Sequence, residues 1–200
     1  MQDATYASLA SNLGMAHARG AAAPARTGNR HGGLGISPYN VYPTKDGHVA
    51  IHVVTEGHWK NLTVAMGREE LQSDPRFATN ADRVAHMDEV DAVVSEWTRS
   101  LGKMEVFART KKLRIPCAPV RTAPEVMNDP HMHERGMLER VEHPELGEVV
   151  LPTNPLRLHG LPKAPMIPSP TIGQHNAEIY GGWLGLGTDE LASLKADGAI

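Results

Sequence analysis

The sequence predicts a mixed α/β fold, and three observations carry that reading. Val49, Ile51 and Val53 alternate with Ala50, His52 and Val54 at the period of two that half-buries a strand. Val84, Met87, Val90, Val94 and Trp97 recur at spacings of three and four, which gives one side of a helix an apolar stripe. Gly and Pro cluster at 21–38 and again at 152–170, so the segment holding both patterns is bounded by connectors.

Composition narrows the classes. Two hundred residues, 40% hydrophobic and 22% charged, suffice for a buried core without disulfides or metal. Twenty Lys and Arg stand interspersed with 23 Asp and Glu, so no basic stripe offers itself to a nucleic acid. No apolar run approaches the roughly 18 residues a membrane span needs, and the N-terminus lacks a secretory design. A single cysteine, Cys117, forms no internal disulfide and agrees with a reducing, cytoplasmic setting.

Residues 2–18 are Ala-rich, with Tyr6, Leu9 and Leu13 at helical intervals. This helix starts in mid-pattern with no capping residue upstream, as if the chain were entered partway through a larger protein. After the Gly-rich linker 21–38 comes a β-hairpin, YNVYP and HVAIHVV around an Asp46-Gly47 turn. A helix with Trp59, Leu62 and Met66 on one face follows and closes at Gly67. Thr79 is placed to cap the striped helix, with Asp82 at its third position and Asp88, Glu89, Asp91 and Glu96 largely on the wet side. A further helix spans about 103–113, and the extended IPCAPV comes after it.

TAPEVMNDPHMHERG reads as two helical turns, with Pro124 and Pro130 in first-turn positions. Strands are predicted at MLERVEHP, at EVVLP and around LRLHG. Six prolines keep 152–170 extended, and two short helices close the chain, the second capped by Thr188. The organisation is therefore a helix at 1–20, a linker at 21–38, a small α/β domain at 39–150, a linker at 151–172 and helices at 173–200. The outer helices have the look of two pieces of a second domain.

Few residues offer chemistry. The HGGLG segment, His31 to Gly35, could bring backbone N–H groups near an anion or flex as a lid, since glycine tolerates the φ values such a loop needs. It has no preceding strand, following helix or Lys-Ser/Thr pair, so a flexible connector is the simpler reading. His131 and His133 would share a side only in an extended segment, and no third ligand stands at a metal spacing. Cys117 between Pro116 and Ala118 reads as a packed thiol, and Trp59 and Trp97 as core. No G-x-S-x-G is present. The residues supply no catalytic constellation of their own and no metal site.

Several segments, in order along nearly the whole chain, resemble the C-terminal half of family III CoA-transferases, the CaiB/BaiF type. They are MQDA at 1–4; RTGNRH and PYNVYPTKDGHVAI within 26–51; LQSDPRFATNADR at 71–83; IPCAPV at 115–120; NDPHMHERGML at 128–138; HPELGEVVLPTNPLRL at 143–158; and PTIGQHNAEIYGGWLGLGTDELASLKADGAI at 170–200. The resemblance implies a small α/β domain inserted by long linkers into a Rossmann-like large domain, of which this chain would carry the flanking helices. It also implies two chains interlocked as a ring-shaped dimer.

The implied reaction moves CoA between carboxylic acids through an enzyme-bound aspartyl intermediate. The family's nucleophilic Asp lies upstream of the MQDA helix, so the resemblance assigns no catalytic residue to this chain, and Asp3 is not its substitute. CoA thioester enters as substrate, with no permanently bound cofactor. The implied partners are acyl-CoA and carboxylate small molecules, together with a missing N-terminal half or a second subunit. In formyl-CoA transferases a mobile Gly-rich loop closes over the acyl group, which points to Gly32, Gly33 and Gly35 as the corresponding loop, here shorter and less purely Gly. Where most relatives carry GEH this chain has Gly173-Gln174-His175. Two alternatives remain beside transfer: a 2-methylacyl-CoA racemase on the same scaffold, and an inactive truncated or split product.

Overall fold

The computed structural model describes residues 2–200; Met1 of the MQDA segment lies outside them. The chain divides into two compact units, Met1–Arg121 and Thr122–Ile200, and the division falls inside the 39–150 stretch. In the first unit the predicted N-terminal helix is two, α1 (Gln2–Ser8) and α2 (Ala10–Arg19), because the chain turns at Leu9, whose N–H donates to the Tyr6 carbonyl. Tyr6, Leu9 and Leu13 are exposed. From Ala23 to Pro38 the backbone carries neither helix nor strand.

The hairpin forms as its alternation predicts. Strands β1 (Tyr39–Thr44) and β2 (Gly47–His52) pair antiparallel, and β3 (Cys117–Pro119), from IPCAPV, adds to the far side of β2. Val49, Ile51 and Val53 are buried, as is Tyr42 opposite Val49. They meet Trp59 and Leu62 of α3 (Glu56–Met66), Val90 and Val94 of α5 (Met87–Arg99) and Val106 of α6 (Lys103–Lys112) in one core. Burying each of these side chains contributes about 1.5–3 kcal/mol against leaving it in water.

The striped helix differs from expectation in one respect. It breaks at His86 into α4 (Asn80–Ala85) and α5, whose axes meet where His86 leaves helical geometry. Thr79 caps α4 in a reciprocal box with Asp82, as the spacing predicts. Asp46 fixes the other end of the sheet: its Oδ1 accepts the Lys103 N–H at 2.6 Å, so the hairpin turn caps α6.

In the second unit, α7 (Ala123–Met127) and α8 (Pro130–Glu134) start with Pro in their first turns, and β4 (Leu138–His143) pairs with β5 (Gly147–Pro152). Glu142 and Glu148 stand opposite each other, and Arg140 relieves the like charges by donating to Glu148 at 2.6 Å. The strand predicted around LRLHG does not form, since the prolines on either side leave its N–H groups no ladder to join. The chain from 153 to 170 is irregular and largely exposed. A π-helix (Ala177–Trp183) and α9 (Thr188–Ala196) end it, and Gly187 rather than Thr188 is the residue that caps α9, without a side-chain bond.

Candidate functional site

The Gly-rich segment lies in the first unit as a turn held at both ends. On its N-terminal side Arg30 donates from Nε to Asp91 Oδ2 at 2.7 Å and from Nη2 to Asp88 at 2.6 Å. Asp91 also accepts from Asn40 Nδ2 at 2.9 Å and from the Tyr42 hydroxyl at 2.7 Å. Asn40 and Tyr42 alternate along β1 and share its core face, so strand geometry aims both at α5. Burial opposes the Arg30 charge, but its two carboxylate partners outweigh that and raise its pKa. Burial, and then the Asp91 charge, push the Tyr42 phenol well above its ordinary range.

His31 reaches the other face of the sheet. Its ring lies 5.1 Å from Tyr39, whose ring is 4.7 Å from its cross-strand neighbour His52. The Gly33 N–H donates to His31 Nδ1 at 3.2 Å, which requires the tautomer with its proton on Nε2. The Leu34 N–H closes the turn on the His31 carbonyl at 2.9 Å, with Leu34 at φ 46. At Gly32 and Gly33 glycine is favoured by close approach rather than by a left-handed conformation. A Cβ on Gly32 would sit 2.4 Å from the Asn12 side chain of α2, and one on Gly33 would meet the His31 ring at 3.0 Å.

The C-terminal side is held by α4. Asn80 Oδ1 accepts the Ser37 N–H at 3.3 Å, and Asn80 Nδ2 donates to the Gly35 carbonyl at 2.9 Å. Arg83, 1% exposed, donates to the Ser37 carbonyl at 2.9 Å, to the Phe77 carbonyl at 2.9 Å and to Glu56 at 3.0 Å, with its guanidinium 5.0 Å from the Trp59 ring centroid. Burial pushes the Glu56 carboxyl up, but Arg83 and the Asn80 N–H outweigh it and hold it below the usual range.

None of these anchors except the glycines is singled out by the sequence reading. A signal was nonetheless present. Arg83 precedes Met87, Val90 and Val94 at spacings of four, three and four, and Asp91 lies four after Met87, so both charges are in phase with the apolar stripe. Asp91, assigned by periodicity to the wet face, instead points at β1.

The remaining candidates have local partners. Cys117 is half-buried and its thiol is pushed up by burial, as a packed thiol should be. Asp129 caps α8 by accepting the His131 N–H at 2.9 Å. His133 Nε2 lies 2.7 Å from the Met127 carbonyl, and no group of three metal-ligating side chains occurs among the described residues. Gln174 accepts the Thr171 N–H at 3.0 Å, and His175 lies 3.1 Å from Glu178. No helix among the described residues is long and apolar enough to cross a membrane.

Known proteins share this arrangement of sequence and fold. The chain is 39% identical over 142 residues to the formyl-CoA:oxalate CoA-transferase of Streptomyces avermitilis, covering 71% of this chain and 34% of that protein. It is 35% identical over 166 residues to the succinyl-CoA–D-citramalate CoA-transferase of Chloroflexus aurantiacus, covering 82% of this chain and 41% of that one. The crystal structure of a CaiB/BaiF family protein from Brucella suis superposes with a TM-score of 0.73 at 29% identity, over 87% of this chain and 44% of that chain. The chain thus spans between about a third and under half the length of these relatives. The sequence pattern of CoA-transferase family III matches residues 1–176, and with this fold and these relatives the chain belongs to that family.

Proposed function

We propose that the chain contributes the small α/β portion of an acyl-CoA:carboxylate CoA-transferase, in which Gly32, Gly33 and Gly35 form the loop that closes over the reacting acyl group. One observation carries this reading: the loop's flanks are fixed by Arg30 and by Asn80 with Arg83, while the backbone at Gly32 and Gly33 passes too close to Asn12 and the His31 ring for a Cβ to fit without displacing them. At its glycines such a loop can press main chain against a substrate and exclude water. The relatives named for formyl-CoA, oxalate and citramalate support CoA thioesters and small carboxylates as the substrate class.

In this reading CoA thioester is substrate and no cofactor is held permanently. The division into a 1–20 helix, a 39–150 small domain and 173–200 helices belongs to the same proposal, supported by the irregular backbone at 23–38 and 153–170. The large domain is then completed by an N-terminal half or a second, interlocked subunit, in the cytoplasm. The aspartyl nucleophile comes from that completing part. Asp46 and Asp129 accept backbone N–H groups at helix starts, so both are committed to structure.

The test compares the 200-residue chain alone with the chain plus any polypeptide encoded in frame upstream. Each is given formyl-CoA or succinyl-CoA with oxalate or succinate, and hydroxylamine traps an activated acyl-enzyme. Transfer only by the completed protein, weakened by Gly33→Ala, is the expected result. Transfer by the chain alone, abolished by changing Asp3, Asp46 or Asp129, overturns the assignment of the nucleophile to the completing part. No transfer by either form overturns the function.

A further inference from the structure

The C-terminal anchor of the Gly-rich loop spends a charge where an apolar side chain would pack. Arg83 is in phase with the buried stripe of α5 and lies under Trp59, yet its guanidinium is hydrogen-bonded on three sides. A buried ion pair is weak evidence for stability, because apolar residues of similar volume often serve as well. What an apolar residue cannot do is grip backbone. Both main-chain polar groups of Ser37 are taken, the N–H by Asn80 and the carbonyl by Arg83, and Asn80 takes the Gly35 carbonyl as well. Glu56 closes the cluster by accepting from the Asn80 N–H at 2.8 Å and from Arg83. Apart from the Arg83 bond to the Phe77 carbonyl, the hydrogen bonds of the three side chains are thus directed at the loop's exit or at one another.

A glycine-rich turn has many backbone states of similar energy, so its reach is set by where its ends are fixed. We propose that Asn80 and Arg83, braced by Glu56, are positioning residues that set the reach of the His31–Gly35 loop. This rests on the reading of that loop as the substrate loop. The two anchors act as a frame: Arg30 holds the entry on α5, Asn80 and Arg83 hold the exit on α4, and only the turn between them moves.

The test is amide hydrogen exchange, resolved by NMR, on the intact chain and on Asn80→Ala, Asn80→Asp, Arg83→Lys and Thr79→Ala. Asn80→Ala speeds exchange at Ser37 and through Gly32–Gly35 by about tenfold while the β2 amides keep their protection. Asn80→Asp retains the acceptor for Ser37 and restores that amide alone. Arg83→Lys keeps the charge but cannot reach both carbonyls, and loosens the same residues. Thr79→Ala removes the cap of the same helix without touching the loop, and leaves loop exchange within about twofold. Loop exchange unchanged in Asn80→Ala, equal acceleration in Thr79→Ala, or lost protection throughout β2 would each overturn the proposal.

A transfer assay on the completed protein separates this from the functional reading. Asn80→Ala raising KM for the acyl-CoA several-fold at near-constant kcat supports positioning, whereas unaltered kinetics beside a loosened loop refutes it. A responsive loop in a protein that transfers nothing removes the CoA-transfer reading alone.

Discussion

Asp91 on α5 and Arg30 before β1 are 61 residues apart in sequence, and the Arg30 Nε donates to Asp91 Oδ2 at 2.7 Å. That single carboxylate also receives Asn40 and Tyr42, so one side chain joins the loop, the edge strand and the helix. Replacing Asp91 leaves a half-buried guanidinium and a buried hydroxyl without their acceptor. Asp91→Ala is expected to cost about 2–4 kcal/mol of unfolding free energy, and Tyr42→Phe about 1 kcal/mol, measured by urea denaturation. Equal, sub-kilocalorie effects would show that the network carries no net energy.

Tyr42 also predicts an alkaline limb. Its folded pKa lies above the ordinary value of 10.0, through burial first and the Asp91 charge second. Its contribution is therefore fully present below about pH 10, where both states hold the proton, and is lost as pH rises from there toward the folded value. Stability should fall above about pH 10, and Tyr42→Phe should flatten that fall relative to wild type. Tyrosine absorbance against pH will show one phenol ionising later than the rest.

Gly32 and Asn12 should behave as a coupled pair. A Cβ at Gly32 meets the tip of the Asn12 side chain, and no backbone atom is among its closest neighbours. Gly32→Ala is expected to lose about 1 kcal/mol by forcing Asn12 from its rotamer, and Asn12→Ala in the same chain to recover most of it. Additivity in this double-mutant cycle would mean that loop and helix do not touch in solution.

Asp74 predicts an acid limb. Its carboxylate accepts the Arg76 side chain and backbone N–H, which hold its pKa at about 2, against an ordinary 3.8. With a depressed folded pKa, its stabilising effect is present above the ordinary value and disappears as pH falls toward about 2. Carbon-detected titration should find Asp74 still ionised well below the ordinary carboxylate range as pH falls, and Asp74→Asn should make stability less dependent on pH in that window. The Arg76 partner is half exposed, so added salt should shrink the effect.

Much of the fold is settled locally, and those parts were legible in the sequence. The Val49–Val53 alternation could bury one face only as a strand, Asp46-Gly47 could close it only as a tight turn, and Thr79 with Asp82 could satisfy the first N–H groups of α4 wherever that helix packed. The quoted family segments likewise belong to the sequence alone. The strand expected at LRLHG failed for the opposite reason: alternation proposes a strand, but a strand exists only where a partner offers hydrogen bonds. The glycines of the candidate loop were visible as glycines, while their anchors were not. Asp91 reads as a wet-side residue of an amphipathic helix, and nothing in the sequence ties Asn80 or Arg83 to the loop, because the groups they meet, the Ser37 backbone, Tyr42 and Arg30, come from distant parts of the chain. A buried charge is stable only beside its partners, and only the tertiary structure decides which partners those are.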